Sequence, residues 1–268
     1  MTTTRDLAPK SDIVAEPPRP VSLPANVRVG SVPYLNAKPL TRALGQPIEM
    51  LEPRKLAAEL RAGLLDVALV PIMEVLEAPA DTYRIADKIA IGSERNVFSV
   101  YVNHTVPLLE VKTVALDPAS KTSVELARVV LEKFYRLTPR YVSTDEPADA
   151  QLLIGDPAIV HRQEHPEQNY LDLATAWREH TGLPFVFAVW ALRLPFWRAF
   201  ATAGRLRAAK IAGLAQRESI AKTPFEREYL TKHLCYDLGA PQKKAIAMFA
   251  EILAQAGRIN ASPKLRYI

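Results

Sequence analysis

Phe185-Val186-Phe187-Ala188-Val189-Trp190-Ala191-Leu192-Arg193-Leu194 is the most hydrophobic segment of the chain. Its β-branched and aromatic residues favour a strand, and it is far shorter than the roughly 18 apolar residues that would point to a membrane span. It therefore reads as the central strand of a buried sheet. The sequence on either side of it sets the architecture. Val27–Val32 and Ile48–Leu51 read as short strands, and Pro53–Ala62, with Leu56 and Leu60 at helical spacing, reads as a helix stopped by Gly63. Asp66–Val70 is a strand ended by Pro71, and Ile72–Leu76 turns into a short helix.

The middle of the chain repeats this alternation. Phe98–Val102, Val111–Leu116 and Gln151–Ile154 read as strands, and Val124–Tyr135 as an amphipathic helix. After Pro195 the chain is largely helical, over Trp197–Glu218, Phe225–Leu230 and Gln242–Ala256. Alternating strands and helices predict an α/β fold. A strong strand returning at residue 186 predicts two lobes: residues 27–102 with 186–268 as one discontinuous α/β lobe, and residues 103–185 as a second, inserted one, with a ligand cleft between them. Residues 1–26, rich in proline at Pro17, Pro18, Pro20 and Pro24, read as a flexible N-terminal extension.

With 268 residues, 49% hydrophobic and 24% charged, the chain falls among folded globular proteins, which excludes a disordered or collagenous one. A lone cysteine, Cys235, excludes a disulfide framework and a cysteine-cluster metal site. The net charge of +5 permits a nucleic acid or an anionic small molecule as ligand without demanding either. No run of consecutive Lys or Arg marks a nucleic-acid partner, and Arg198, Arg205, Arg207, Lys210 and Arg217 read as a solvated basic face. No membrane partner is expected, and the N-terminal residues lack the continuous apolar run of a secretory signal, so a cytoplasmic location is expected. The sequence specifies no oligomeric partner.

Dinucleotide fingerprints, Walker sequences, His-Glu-x-x-His and Gly-x-Ser-x-Gly elbows are all missing from the sequence. His161 and His165 lie four apart but lack a third ligand and are followed by Pro166, so they read as a solvent-exposed loop and no metal is expected. Asp117-Pro118-Ala119-Ser120-Lys121-Thr122-Ser123 joins a strand to a helix start, where unpaired backbone N–H groups and hydroxyls can either cap the helix or hold an anion. Asn36, in the turn Tyr34-Leu35-Asn36, is either a loop cap or a carboxamide in the cleft. Glu74 is either a helix cap or a general acid. Trp177 and Trp190 read as core residues.

Several of these stretches together resemble a known family. Arg28-Val29-Gly30-Ser31-Val32-Pro33-Tyr34-Leu35-Asn36-Ala37-Lys38-Pro39-Leu40, Leu60-Arg61-Ala62-Gly63, Asp66–Pro71 followed by Glu74, Ser99-Val100, the turn Ser120–Ser123, Leu153–Asp156, and Trp177 with Thr181–Ala191 occur in the order and spacing of the menaquinone biosynthesis proteins of the futalosine pathway, specifically the chorismate dehydratases. The resemblance spans about residues 27–257. It implies a two-lobed fold similar to type 2 periplasmic binding proteins. It also implies conversion of chorismate to 3-[(1-carboxyvinyl)oxy]benzoate and water without a cofactor. The residues it implies for the substrate cleft are Asn36, Ser99, Ser120, Thr122 and Ser123, with Tyr34 and Asp156 as further binding positions. Asn36 is the residue expected to affect turnover, and Glu74 is a candidate base that competes with the substrate's own side-chain carboxylate. A dihydroxynaphthoate-forming relative on the same fold and a noncatalytic carboxylate binder are the rival readings. Tyr34-Leu35-Asn36 together with Thr181–Ala191 favours the dehydratase.

Overall fold

Two short parallel strands open the first sheet because Val29 and Val67, both buried, must be covered on either face. The computed structural model describes residues 19–117 and 120–268. The strands are β1 (Val29–Ser31), β2 (Glu49–Met50), β3 (Val67–Pro71), β4 (Tyr83–Ser93), β5 (Val100–His104), β6 (Thr113–Ala115), β7 (Arg140–Val142), β8 (Ala150–Ile154), β9 (Asn169–Asp172) and β10 (Phe185–Arg193). The helices are α1 (Lys38–Thr41), α2 (Pro53–Ala62), α3 (Ile72–Leu76), α4 (Lys121–Arg128), α5 (Gly155–Glu164), α6 (Leu173–Thr181), α7 (Ala199–Leu214), α8 (Arg217–Ile220), α9 (Pro224–Glu228) and α10 (Ala240–Gln255).

The strands form two sheets with one plan. The first runs β2-β1-β3-β10-β4 and the second β7-β6-β8-β5-β9. In each, three parallel strands are followed by an antiparallel one that the chain supplies next to a crossing between lobes: β10 against β3 and β4, and β5 against β8 and β9. β10 carries the most hydrophobic segment of the chain and lies inside its sheet between β3 and β4. Val100–His104 stands wholly in the second sheet, so the first crossing precedes it and does not follow residue 102.

Buried Asp172 holds that crossing. Its carboxylate accepts backbone N–H groups from Val97 at 3.2 Å and Phe98 at 2.8 Å while capping α6 through Thr175 N. Phe98 is thereby kept at φ 67°, a conformation side chains seldom adopt. At the second crossing, fully buried Trp177 donates Nε1 to Pro184 O at 3.1 Å and meets Phe185 and Phe249 edge to face. That ring ties α6 to β10 and α10, and Trp190 is likewise fully buried.

Of the flexible extension expected over residues 1–26, residues through 18 lie outside the described ones, and residues 19–26 are docked and not an extension. Val21 N donates to Ala43 O at 2.7 Å, Gly45 N to Val21 O at 3.0 Å, and Leu23 is buried. The basic face is not uniformly solvated either. Lys210 is buried, with Nζ 2.7 Å from Lys88 O and 2.5 Å from Asp237 Oδ1. His161 sits within α5 and not in a loop, its Nδ1 3.2 Å from Tyr101 Oη.

Candidate active site

Between the two sheets lies a cavity of about 440 Å³ whose walls come from both lobes. Tyr34, Asn36, Ser99, Ser120, Thr122, Ser123 and Asp156 all line it. The first lobe supplies Tyr34 and Asn36, the second supplies Ser120, Thr122, Ser123 and Asp156, and Ser99 stands where the chain passes between them.

Asn36 is carried by the tight turn Leu35–Ala37, anchored by the buried side chains of Leu35 and Ala37. The hydroxyl of Tyr236 donates to its carbonyl at 3.1 Å. Its side-chain Oδ1 is buried and has no hydrogen-bond partner in the protein. Such an atom carries a desolvation penalty.

The hydroxyl cluster is built by helix capping. Ser120 is the N-cap of α4 and accepts from Ser123 N at 3.4 Å, with its Oγ 3.1 Å from Ser123 Oγ. Thr122 Oγ1 accepts from Met73 N of the other lobe at 3.3 Å, which leaves its proton for a ligand. The free N–H groups of this first turn and the helix dipole favour a carboxylate. Among the described residues, no Lys or Arg lines the cavity.

Three carboxylates line it: Glu52, Asp117 and Asp156. Tyr34 Oη donates to Glu52 Oε2 at 2.5 Å, and burial, reinforced by that carboxylate, holds the phenol pKa well above its ordinary range. Burial also raises the pKa of Asp156, opposed by the Leu35 N–H bond and by Lys38. Glu52 was not legible as a site residue, since nothing in its local pattern separates it from a surface residue ahead of α2.

Glu74 does not line this cavity. It faces a neighbouring pocket of about 580 Å³ between α2, α3 and α4, with Pro53 and Pro71 shared between the two walls. Tyr83 donates to Glu74 Oε1 at 2.9 Å and Arg61 pairs with Oε2. Burial raises its pKa, with the Tyr83 bond and Arg61 opposing. Arg61 is exposed, so water screens its charge and burial prevails.

The sequence pattern of the family described as menaquinone biosynthesis matches residues 27–255. The chain belongs to this family. Among relatives of this menaquinone biosynthesis protein, one from Thermus thermophilus named chorismate dehydratase is 29% identical over 252 residues, covering 82% of this chain and 92% of that one. Among solved structures, a protein from Archaeoglobus fulgidus is similar at TM-score 0.66 and 18% identity, over 87% of this chain and 98% of that one. The periplasmic aliphatic sulphonate-binding protein of Escherichia coli is similar at TM-score 0.58 and 15% identity, over 91% and 95%. These likenesses establish the periplasmic-binding-protein fold. Among the described residues, no helix is long and apolar enough to cross a membrane, and no three His, Cys, Asp or Glu side chains gather to hold a metal ion.

Proposed function

We infer that this menaquinone biosynthesis protein is a chorismate dehydratase, a carbon–oxygen lyase that converts chorismate to 3-[(1-carboxyvinyl)oxy]benzoate and water in the cytoplasm. The observation that carries the reading is the interlobe cavity, lined by Asn36 from one lobe and by Ser120, Thr122 and Ser123 of the capped, hydroxyl-rich turn from the other. A family member with that cavity has donors for two carboxylates and a carboxamide residue beside them.

The chemistry asks little more. Removing the proton at ring C3 of chorismate sends its electron pair through the adjacent double bond toward the ring carboxylate. Departure of the C4 hydroxyl, which takes up the abstracted proton from the base and leaves as water, then gives an aromatic ring, so the driving force resides in the substrate. Elimination of water moves no net electrons, and the reading assigns no cofactor. The protein's task is to orient the substrate and stabilise developing negative charge. Ser99, Ser120, Thr122, Ser123 and the first turn of α4 hold the carboxylates, and Tyr34 and Asp156 shape the opposite walls. Asn36 is nonbasic, so its role is to hydrogen-bond the leaving hydroxyl.

For the proton at C3, the substrate's own enolpyruvyl carboxylate is the base. Glu74 is engaged by Tyr83 and Arg61 in another pocket, which supports a structural role for it. Mass spectrometry of the purified protein incubated with chorismate tests the function. A product lighter by one water supports it. Unchanged chorismate bound tightly supports the rival reading as a binding module.

A further inference from the structure

Helix α7 is apolar on both sides. Ala203, Leu206 and Gly213 are buried on its inner face, where it packs on α1 and β4. Its outer face carries Phe200, 75% exposed, and Ile211, 71% exposed, which share one line along the helix about 16 Å apart. Trp197, 86% exposed, stands in the turn that leads into the helix. Among the described residues, Trp197 and Phe200 are the two most exposed large apolar side chains. Single exposed apolar residues are ordinary. Three along one helix form a patch, and a helix apolar all round is ordinarily covered on both sides.

The charges that α7 and its lead-in turn carry have one sign. No Asp or Glu occurs between Glu179 and Glu218, a stretch that holds Arg198, Arg205 and Arg207. Helical geometry puts Arg205 and Arg207 on opposite flanks of the Phe200–Ile211 line. Arg205 is exposed, and Arg207 donates Nη1 to Ile268 O at 2.9 Å. The guanidinium of Arg198 lies over the Trp197 ring, 4.3 Å from its centroid. Protruding aromatic and aliphatic tips flanked by guanidinium groups match a lipid interface, where the tips enter among the acyl chains and the cations stay with the phosphates. A second copy of the chain fits this face less well. A two-fold pairing would bring Arg205, midway between Phe200 and Ile211, against its own counterpart.

We propose that the outer face of α7 docks the protein on an anionic lipid surface, with Trp197, Phe200 and Ile211 inserted and Arg198 and Arg205 on the headgroups. The net charge of +5 adds a general attraction to such a surface. The expectation of no membrane partner rests on the shortness of the apolar runs, which bears on a span and not on a helix lying in the interface. None of these residues lines the interlobe cavity, so the docking face stands independently of the reaction assigned to the cleft.

Trp177 and Trp190 are buried, so Trp197 is the indole that reports on this face in the full chain. Vesicles of phosphatidylcholine with about a third phosphatidylglycerol should move the emission to shorter wavelength and carry the protein down on co-sedimentation. Phosphatidylcholine alone should bind about tenfold more weakly or less, and added salt should narrow that difference. Replacing both aromatics, Trp197→Ser with Phe200→Ser, should lower partitioning about tenfold or more. Arg205→Glu should lower it about fivefold or more on the anionic vesicles alone, and serves if the double variant does not fold. Urea midpoints close to wild type show that each variant is folded. Failure to bind the anionic vesicles overturns the proposal. So does binding that the folded double variant leaves unaltered, which is adsorption by charge alone. A concentration-dependent dimer that the double variant abolishes, in place of vesicle binding, assigns the face to a second copy and also overturns it. None of these readouts uses chorismate, so they decide the docking face whether or not the proposed reaction holds.

Discussion

Lys121 Nζ, at the start of α4, lies 2.5 Å from Glu77 Oε2, just past the end of α3. The pair joins the two lobes, and it does so from the turn whose neighbouring residues, Ser120, Thr122 and Ser123, line the cavity. Thr122 adds the bond from Met73 N across the same gap. The element that lines the cavity thus also carries contacts between the lobes, which would couple cleft geometry to closure.

Lys121→Ala should therefore weaken affinity along with a small loss of stability. Both partners are substantially exposed, which limits the stability loss to about 1 kcal/mol or less. An equal penalty on the closed form corresponds to a rise in KM of about fivefold. The difference from wild type should shrink toward high salt as the pair is screened. Steady-state kinetics across a salt series check this, and an unchanged KM at low salt would remove the latch.

Glu74→Gln should retain near-normal turnover, since Glu74 lies outside the cleft. Its effect should appear in stability against pH. The folded-state pKa of Glu74 is raised chiefly by burial, so the folded protein binds its proton more tightly than the unfolded chain does. The stabilisation this provides is complete below the unfolded carboxyl pKa and is lost as pH rises through the folded one. Wild type should gain stability relative to Glu74→Gln as pH falls through that window, read from urea midpoints. Loss of turnover by orders of magnitude would restore Glu74 as the base.

Asp156→Asn tests the remaining protein carboxylate with a raised pKa in the cavity. Asparagine keeps an acceptor for Leu35 N–H but cannot take a proton. With the substrate carboxylate as base, kcat should stay within about tenfold of wild type. A loss of about a thousandfold or more is what removal of a general base produces and would assign that role to Asp156.

Gly213→Ala should damage the site from a distance. A Cβ there would lie 1.9 Å from Pro39 O and 2.9 Å from Pro39 C, so α7 packs on α1 only through glycine. Pro39 follows the Asn36 turn closely, and any relief must shift that turn. The expected cost is about 1–3 kcal/mol, with a lower kcat, measured by urea denaturation alongside turnover. An unaltered midpoint would mean that the helices separate freely.

What the sequence disclosed were the features decided locally. Leu56, Leu60 and the stop at Gly63 specify α2, and Gly63 takes φ 74° as that stop requires. The Ser120 cap and the hydrophobic β10 segment were legible for the same reason. β4 was not, because Asp87 and Lys88 interrupt its apolar pattern, Lys88 stands at φ 67°, and its burial depends on pairing with β10 some hundred residues later. β7 and β9 are short, with exposed Arg140 and Asn169, and gave no alternation to read. Asn36 and the hydroxyl turn were legible as positions that line the cavity, while the place of Glu52 depends on tertiary contacts. Glu74 looked like a cleft residue until Tyr83 and Arg61 fixed where its carboxylate points.

The most direct test of the central claim is proton NMR of chorismate incubated with wild-type protein and with Asn36→Ala, each shown to be folded and to bind the substrate. Wild type is expected to replace the ring C3 and C4 proton signals with those of the aromatic enolpyruvyl benzoate, and Asn36→Ala to leave chorismate intact. Folded, chorismate-binding wild-type protein that yields no aromatic product would contradict it.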